Sequence, residues 1–200
     1  EQSEPNAAHN YDAATLNSRC DKYDLSCEDV VAELWAGVGQ LSRLLQEAGL
    51  KTAAVCEIED YERRLCMHRT PEALEAVDFY HRQWTSWRSR LLVRRQAIRV
   101  VAAGFACVTV SKAGQRKRAE DPRSVQGVDT VRAGAEMGAW VMLMENVTEL
   151  KTNDELHGLY TEQQREAHHL GYCMVSDDEQ KQSAWGGFTQ RTRLFRLWSG

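Results

Sequence analysis

The sequence predicts an α/β fold in which a mostly parallel β-sheet carries helices on both faces. Strand-like and helix-like segments alternate along most of the 200 residues, and this alternation is typical of parallel strands connected by helices. Glycine-containing or polar stretches follow several of the predicted strands. Ligands of such sheets bind beyond the carboxyl ends of the strands, so we expect the functional residues in these stretches.

A polar lead-in of residues 1–28 is expected to be a tail before one folded domain over residues 29–200. Short apolar runs predict strands at residues 30–35, 52–58, 76–80, 98–103, 139–144, 172–176 and 194–198. Helical spacing of apolar residues, or charged segments between strands, predicts helices at 41–48, 60–68, 86–96, 124–137 and 153–170. A long loop is predicted over residues 104–123.

The composition is that of a globular rather than a disordered protein, with 42% hydrophobic and 27% charged residues. No apolar run approaches the roughly 18 residues that span a bilayer, so no membrane partner is expected. None of the six cysteines forms a C-x-x-C pair and no metal pattern is present, which favours free, mostly buried thiols in a reducing compartment. The first residue is Glu1 rather than Met, which suggests a fragment of a longer protein.

The charge is unevenly distributed along the chain. The net charge is −4, yet residues 82–118 contain ten of the 25 basic residues and none of the 29 acidic ones. A local basic tract can bind a phosphate backbone even on an acidic protein. A solvated helix face followed by a loop explains the same tract without a nucleic acid.

Glycines follow the first predicted strand, in residues 33–39 with the sequence Glu-Leu-Trp-Ala-Gly-Val-Gly. Gly37 and Gly39 would let a ligand approach backbone N–H groups at a helix N-terminus. Glu57 ends the second strand, where an acidic side chain can bind ribose hydroxyls. Ordinary turn glycines and a surface carboxylate are the alternative, but together the two features favour a nucleoside-containing cofactor.

Three further groups of polar residues occur at or near strands. Cys107 follows a buried strand and begins a basic loop, a setting in which a thiol can become reactive, although a lone cysteine is usually structural. Glu145 ends the next apolar strand, where partial burial should raise its pKa and suit it to act as a general acid. Arg191 and Arg193 precede the last strand and could bind phosphate or a base carbonyl.

These elements, in this order, resemble the C5 cytosine-specific DNA methyltransferase family. Residues 33–39 look like its first cofactor motif and 55–59 like its ribose-binding motif, and Asp78 lies where its adenine-contacting Asp would fall. Residues 104–124 look like the nucleophile loop, 145–147 match its Glu-Asn-Val motif, and 187–195 resemble its Gln/Arg motif. The resemblance covers residues 29–198 and implies the Rossmann-like fold of S-adenosylmethionine-dependent methyltransferases.

The resemblance implies methyl transfer from S-adenosylmethionine to C5 of cytosine in DNA, with Cys107 attacking C6. Glu145 would bond or protonate N3, while Arg193 and Arg191 would hold the base or the backbone. Contact with the nucleic acid is expected from the side chains of Ser111, Lys112, Arg116, Lys117, Arg118 and Gln190. Contact with the cofactor is expected from Leu34, Trp35, Gly37, Gly39, Glu57, Ile58 and Asp78. No metal is implied, and the location would be the nucleus or the bacterial cytoplasm and nucleoid.

The sequence departs from the family pattern at several positions. Ala106 replaces the usual Pro before the nucleophile, Trp35 replaces a usual Phe, and the Gln/Arg motif is one residue short. The family's target-recognition region would follow Gly200, so a complementary chain carrying that region is an expected partner. Two alternatives remain open: a tRNA cytosine-C5 methyltransferase of the same fold, or a catalytically inactive cofactor-binding fragment or subunit.

Overall fold

A computed structural model describes residues 27–81, 84–105, 125–154, 156–181, 183 and 191–200, except for the side chain of His81. In this part of the chain seven strands form one sheet in the order β3-β2-β1-β4-β5-β7-β6. The strands are β1 Glu28–Leu34, β2 Lys51–Cys56, β3 Leu74–Ala76, β4 Gln96–Ala103, β5 Val141–Val147, β6 Cys173–Lys181 and β7 Thr192–Ser199. The helices are α1 Gln40–Glu47, α2 Asp60–Arg69, α3 Trp84–Val93, α4 Gln126–Met137, α5 Glu149–Thr152 and α6 His157–His169, with a 3₁₀ helix at Phe79–His81.

The sheet is parallel from β3 to β5, and only β7 pairs antiparallel, with β5 and β6. The mostly parallel α/β prediction is therefore confirmed. The central strands are apolar throughout because both of their faces are covered. In β1, Val30 and Leu34 lie in the main hydrophobic cluster, whereas Val31 lies in a second cluster.

Helices cover both faces of the sheet, as predicted. Residues of α3, α4 and α6 pack into the main cluster with Val30, and Leu41 of α1 packs with Val31. Cys66 of α2 packs on Val55 in a third cluster, and Val55 alternates in β2 with residues of the main cluster, so it lies on the opposite face. No helix in the described ranges is long and apolar enough to cross a membrane.

Several element boundaries differ from the predictions. Strand β3 ends at Ala76 rather than Tyr80, because Phe79 turns into the core in the 3₁₀ helix. The predicted helix at 153–170 is present as α6, which begins later, at His157; the short helix α5 precedes it and ends where Asn153 adopts an extended conformation. Strand β1 begins at Glu28, inside the predicted tail, because Glu28 pairs with Gln96 of β4.

Candidate nucleotide and cytosine site

The carboxyl ends of the parallel strands lie side by side at one edge of the sheet. Leu34 of β1 pairs with Cys56 of β2 on one side and with Ala103 of β4 on the other. Ala103 pairs in turn with Met144 of β5. The stretches that follow these four strands therefore meet at this edge, where the predicted site residues Trp35, Gly37, Glu57 and Glu145 are found.

Two glycines form the turn after β1, and their surroundings differ. Gly37 and Gly39 have positive φ values of 52° and 73°, which glycine adopts without the steric penalty of a side chain. A Cβ on Gly39 would lie 2.9 Å from the Cys66 Sγ atom, whereas a Cβ on Gly37 would meet no atom within 4 Å. Gly39 is thus required for packing on α2, and Gly37 leaves space that a ligand could use.

The Glu57 carboxylate is bound to the glycine turn. Its Oε2 atom accepts a hydrogen bond from the Gly37 backbone N–H at 2.6 Å, and its Oε1 atom accepts one from the Glu59 N–H at 2.9 Å. Only 9% of Glu57 is exposed, whereas Ile58 is 61% exposed. Each carboxylate oxygen retains acceptor capacity, so the group can also accept hydroxyl donors.

Glu33 is a buried carboxylate that the sequence reasoning did not assign to the site. It is 1% exposed, and its Oε2 atom accepts a hydrogen bond from the Ser42 backbone N–H at 3.1 Å. Ser42 lies in the first turn of α1. The N-cap residue Gly39 has no side chain to bind the N–H groups of this turn, and Glu33 accepts the hydrogen bond from one of them. Burial raises the pKa of Glu33 to about 7, against the opposing effect of the Ser42 hydrogen bonds. The sequence does contain a sign of this site, because Glu33 is a charged residue within an otherwise apolar predicted strand.

Trp35 and Asp78 flank the same edge. Trp35 has φ 55°, a left-handed conformation that costs on the order of 1–3 kcal/mol and that clusters at functional sites. Its ring stacks on Phe79 with 4.3 Å between centroids. The Asp78 Oδ1 atom accepts a hydrogen bond from the Tyr80 N–H at 2.9 Å. Leu34 is fully buried, so only its backbone is available to a cofactor.

Glu145 and Arg193 form an ion pair across β5 and β7. The Arg193 Nε atom lies 2.6 Å from Glu145 Oε1, and both side chains are about a quarter exposed. Partial burial raises the pKa of Glu145, while the charges of Arg193 and Arg191 and the hydrogen bond from Arg193 oppose the rise. The predicted direction of the Glu145 pKa is therefore confirmed, and Arg193 is the nearer of the two arginines.

Asn146 joins β5 to the segment that leaves β4. Its Nδ2 group donates a hydrogen bond to the Phe105 carbonyl at 3.3 Å, and its Oδ1 atom accepts one from the Val147 N–H at 2.8 Å. A Cβ on Gly104 would lie 3.5 Å from Glu145 Oε2. The exit of β4 is thus held beside the Glu145 carboxylate. The sequence indicated Asn146 only as part of the Glu-Asn-Val motif. The hydrogen bond to Phe105 shows that its side chain connects β5 to the segment after β4.

The family model of C-5 cytosine-specific DNA methylases matches residues 30–176, which is more than half of the chain. The chain belongs to the C-5 cytosine-specific DNA methylase family. The type II methyltransferase M.Eco47II of Escherichia coli is 32% identical over 130 residues, which cover 62% of this chain and 28% of that protein.

Solved structures show the same methyltransferase fold. A DNA modification methyltransferase encoded within an E. coli prophage superposes with a TM-score of 0.70 at 20% identity, covering 86% of this chain and 46% of that one. A Spodoptera frugiperda DNMT2 mutant has a TM-score of 0.62 at 16% identity, with coverages of 86% and 50%. This methylase-family chain therefore spans half or less of the length of these relatives.

The remaining predicted site residues of this methylase-family chain lie outside the described residues. They are Cys107, Ser111, Lys112, Arg116, Lys117, Arg118 and Gln190. Among the described cysteines, Cys56 and Cys66 are buried, and burial raises their thiol pKa values to about 12 and about 11. Cys27 is partly buried and Cys173 is exposed. Within the described ranges no group of three or more His, Cys, Asp or Glu residues could hold a metal.

Three of the described arginines in the basic tract of residues 82–118 lie just before or within β4. Arg94 and Arg95 precede β4 at the amino edge of the sheet, while the basic loop follows its carboxyl end in the sequence. The eight residues of β4 span about 26 Å. Arg99, within β4, is bound to Asp29 and lies 4.1 Å from the centroid of the Trp140 ring. Arg99 is thus already paired with an acidic residue, and phosphate binding by the basic tract stays a prediction.

Proposed function

We propose that this chain is the catalytic core of an enzyme that transfers a methyl group from S-adenosylmethionine to C5 of cytosine in DNA. The observation that carries the proposal is the junction of β4 and β5, where the Glu145–Arg193 pair lies beside Gly104 and Asn146 holds the Phe105 carbonyl. Cys107 follows Phe105 by two residues, which limits their Cα separation to about 7 Å.

The described residues fit the cofactor. Open space beside Gly37 admits a ligand against the turn, and the Glu57 carboxylate, bonded to the Gly37 N–H, is placed to accept ribose hydroxyls. Trp35, Ile58 and Asp78 border the same edge and would contact the adenine portion. When bound, S-adenosylmethionine supplies the methyl group. The chain's own task here is to orient it toward the ends of β4 and β5.

Cytosine C5 is a poor nucleophile until C6 is attacked. The Cys107 thiolate would form a bond to C6, which converts the ring to an enamine-like species. This species would take the methyl group at C5, with S-adenosylhomocysteine as the leaving group. The C5 proton then leaves to a base, the C5–C6 double bond re-forms, and the thiolate is expelled. Elimination of Cys107 closes the cycle with the thiolate regenerated.

Glu145 is proposed to bond or protonate cytosine N3 during the attack. Partial burial raises its pKa, which favours the protonated form that can donate to N3. Arg193 opposes that rise and keeps the carboxyl group in place. Negative charge that develops on the ring would thus be met by a preorganised donor and a cation.

The base must leave the duplex to reach these groups, at a cost of a few kcal/mol. The side chains of the basic loop, Lys112, Arg116, Lys117 and Arg118, are proposed to bind phosphates. Ser111, Gln190 and Arg191 would contact the flipped nucleotide or its neighbours. The target-recognition surface would come from a further polypeptide region, consistent with the 28% of M.Eco47II that the matched segment covers.

Incubation with S-adenosylmethionine and either DNA or tRNA, followed by mass spectrometry of the nucleosides, tests the proposal. A target-recognition region should be supplied in trans. We expect 5-methylcytosine in DNA, and little with Glu145→Gln, which keeps the shape of the side chain but not its acidity. Product in tRNA alone would replace the DNA assignment by the tRNA alternative.

Ala106 and the shortened Gln/Arg motif favour a second candidate, a cofactor-binding module without turnover. Calorimetry together with the nucleoside assay separates the two, because both candidates bind S-adenosylmethionine and only the enzyme releases methylated product. Cofactor binding without 5-methylcytosine in either nucleic acid would select the binding module.

A further inference from the structure

Trp35 occupies the position between β1 and the glycine turn, and a residue from a distant helix fixes its indole ring. The indole Nε1–H donates a hydrogen bond to the Thr130 Oγ1 atom at 2.9 Å, across 95 residues of sequence. Thr130 lies in α4 and is fully buried. An indole N–H in a partly buried setting needs an acceptor, and Thr130 supplies it.

The Thr130 hydroxyl is oriented by its own helix. Its hydrogen is donated to the Gln126 carbonyl at 2.7 Å, one turn earlier in α4. A hydroxyl has one hydrogen and two lone pairs, so with the hydrogen used in this way a lone pair remains for the indole. The acceptor is therefore fixed in place by α4.

The neighbouring residue of α4, Asp129, contacts a second aromatic residue, Tyr80. The Tyr80 hydroxyl donates to Asp129 Oδ2 at 3.3 Å, and the Tyr80 ring lies edge-on to Trp35 with 6.1 Å between centroids. Consecutive residues of α4 thus bind the two aromatic residues that lie next to the Gly37 turn and Asp78. The left-handed backbone of Trp35 is held by these contacts rather than by its own preference.

We propose that Thr130 is a positioning residue of the cofactor site, acting through the Trp35 indole. By holding the ring, α4 fixes the backbone from which the Gly37 turn departs, and so sets the surface that meets S-adenosylmethionine. The inference rests on the proposed cofactor binding and adds a residue that lies far in the sequence from the cofactor motifs at 33–39 and 55–59. The Thr130 hydroxyl does not touch the reacting atoms.

Thr130→Val removes the hydroxyl at nearly constant shape and leaves the indole N–H without its acceptor. We expect the dissociation constant for S-adenosylmethionine, measured by calorimetry, to rise about tenfold, the usual effect of one lost buried hydrogen bond. Thr130→Ser keeps the hydroxyl and should restore most of the affinity. Thr161→Val is the matched control, because Thr161 makes the same bond to a carbonyl four residues earlier, His157, without an indole partner.

A double-mutant cycle separates positioning from general helix stability. Trp35→Phe removes the N–H, so adding Thr130→Val to it should change the dissociation constant less than twofold. The inference would be overturned if Thr130→Val weakened cofactor binding equally in the wild-type and Trp35→Phe proteins, or if Thr130→Val kept wild-type affinity. Either result would leave cofactor binding itself intact. Absence of binding by the wild-type protein at millimolar cofactor would instead overturn the proposed function together with this inference.

A measurement on the unaltered protein covers the case in which Thr130→Val does not fold. The Trp35 indole N–H resonance, assigned as the signal missing in Trp35→Phe, should exchange slowly and shift when S-adenosylmethionine is added. A rapidly exchanging signal, or one that does not respond to bound cofactor, contradicts the positioning role.

Discussion

Glu33 should make the stability of the protein depend on pH, and replacing it with Gln should remove that dependence. Its carboxyl group is 1% exposed, and burial raises its pKa to about 7. In the unfolded chain the group returns to about 4.5. The folded state therefore binds more protons between these two values, and the free energy of unfolding falls as the pH rises through them.

The difference between the unfolded pKa of 4.5 and the folded pKa of about 7 changes the free energy of unfolding by about 3 kcal/mol, at about 1.4 kcal/mol for each pKa unit. Most of this difference lies between pH 5 and pH 8. The amide that Glu33→Gln introduces is neutral at every pH, and its oxygen could still accept a hydrogen bond from the Ser42 N–H. The free energy of unfolding of Glu33→Gln should thus rise relative to wild type by about 2 to 3 kcal/mol from pH 5 to pH 8.

Urea unfolding at pH 5, 6, 7 and 8 measures this difference, provided that the slope with denaturant is the same in both proteins. Glu47→Gln is the control, since Glu47 lies at the end of the same helix with an exposed side chain paired to Arg43. That control should show the wild-type dependence on pH. A constant difference between Glu33→Gln and wild type would refute the account of Glu33 as a buried carboxyl group.

Three further predictions concern ligands and the ion pair. Glu57→Ala should weaken S-adenosylmethionine binding in calorimetry, because the carboxylate faces the Gly37 turn; unchanged affinity would remove Glu57 from the site. DNA affinity should fall with salt at a log–log slope of about −0.9 per phosphate contact, so Lys117→Gln should reduce the slope by about 0.9, whereas Arg94→Gln, at the opposite edge, should leave it unchanged. Arg193→Met removes the hydrogen bond and charge that lower the pKa of Glu145. The carboxyl resonance of Glu145 should then titrate at higher pH than in wild type, and a lower midpoint would contradict the assignment.

The centre of the fold could be predicted from the sequence because its elements are locally marked. Continuous apolar runs in β1, β2 and β4 indicate strands buried on both faces. The glycines after β1 mark a turn, because glycine readily adopts the positive φ values that tight turns need. Their parallel direction follows from their helical connections. Residues at strand ends, such as Glu57 and Glu145, could therefore be placed at one edge before the structure was known.

The rest depended on contacts between residues far apart in the sequence. Nothing near Thr130 indicates that it accepts a hydrogen bond from Trp35, and nothing near Asn146 points to the Phe105 carbonyl. Strand β3 was misplaced because the apolar Phe79 packs in the core from a 3₁₀ helix rather than from a strand. The sequence also does not show that Arg99 of the basic tract pairs with Asp29, a residue 70 positions away.

Covalent trapping tests the central claim most directly, namely that Cys107 attacks C6 of cytosine. An oligonucleotide carrying 5-fluorocytosine should form a stable adduct in the presence of S-adenosylmethionine and a target-recognition region, because fluorine cannot leave as the C5 proton does. Cys107→Ser should abolish the adduct, whereas Cys173→Ser, which changes an exposed thiol, should form it as wild type does. Peptide mapping that places the adduct on Cys107 would agree with the proposed mechanism. An adduct on another cysteine, or no adduct when cofactor and DNA are both bound, would contradict it.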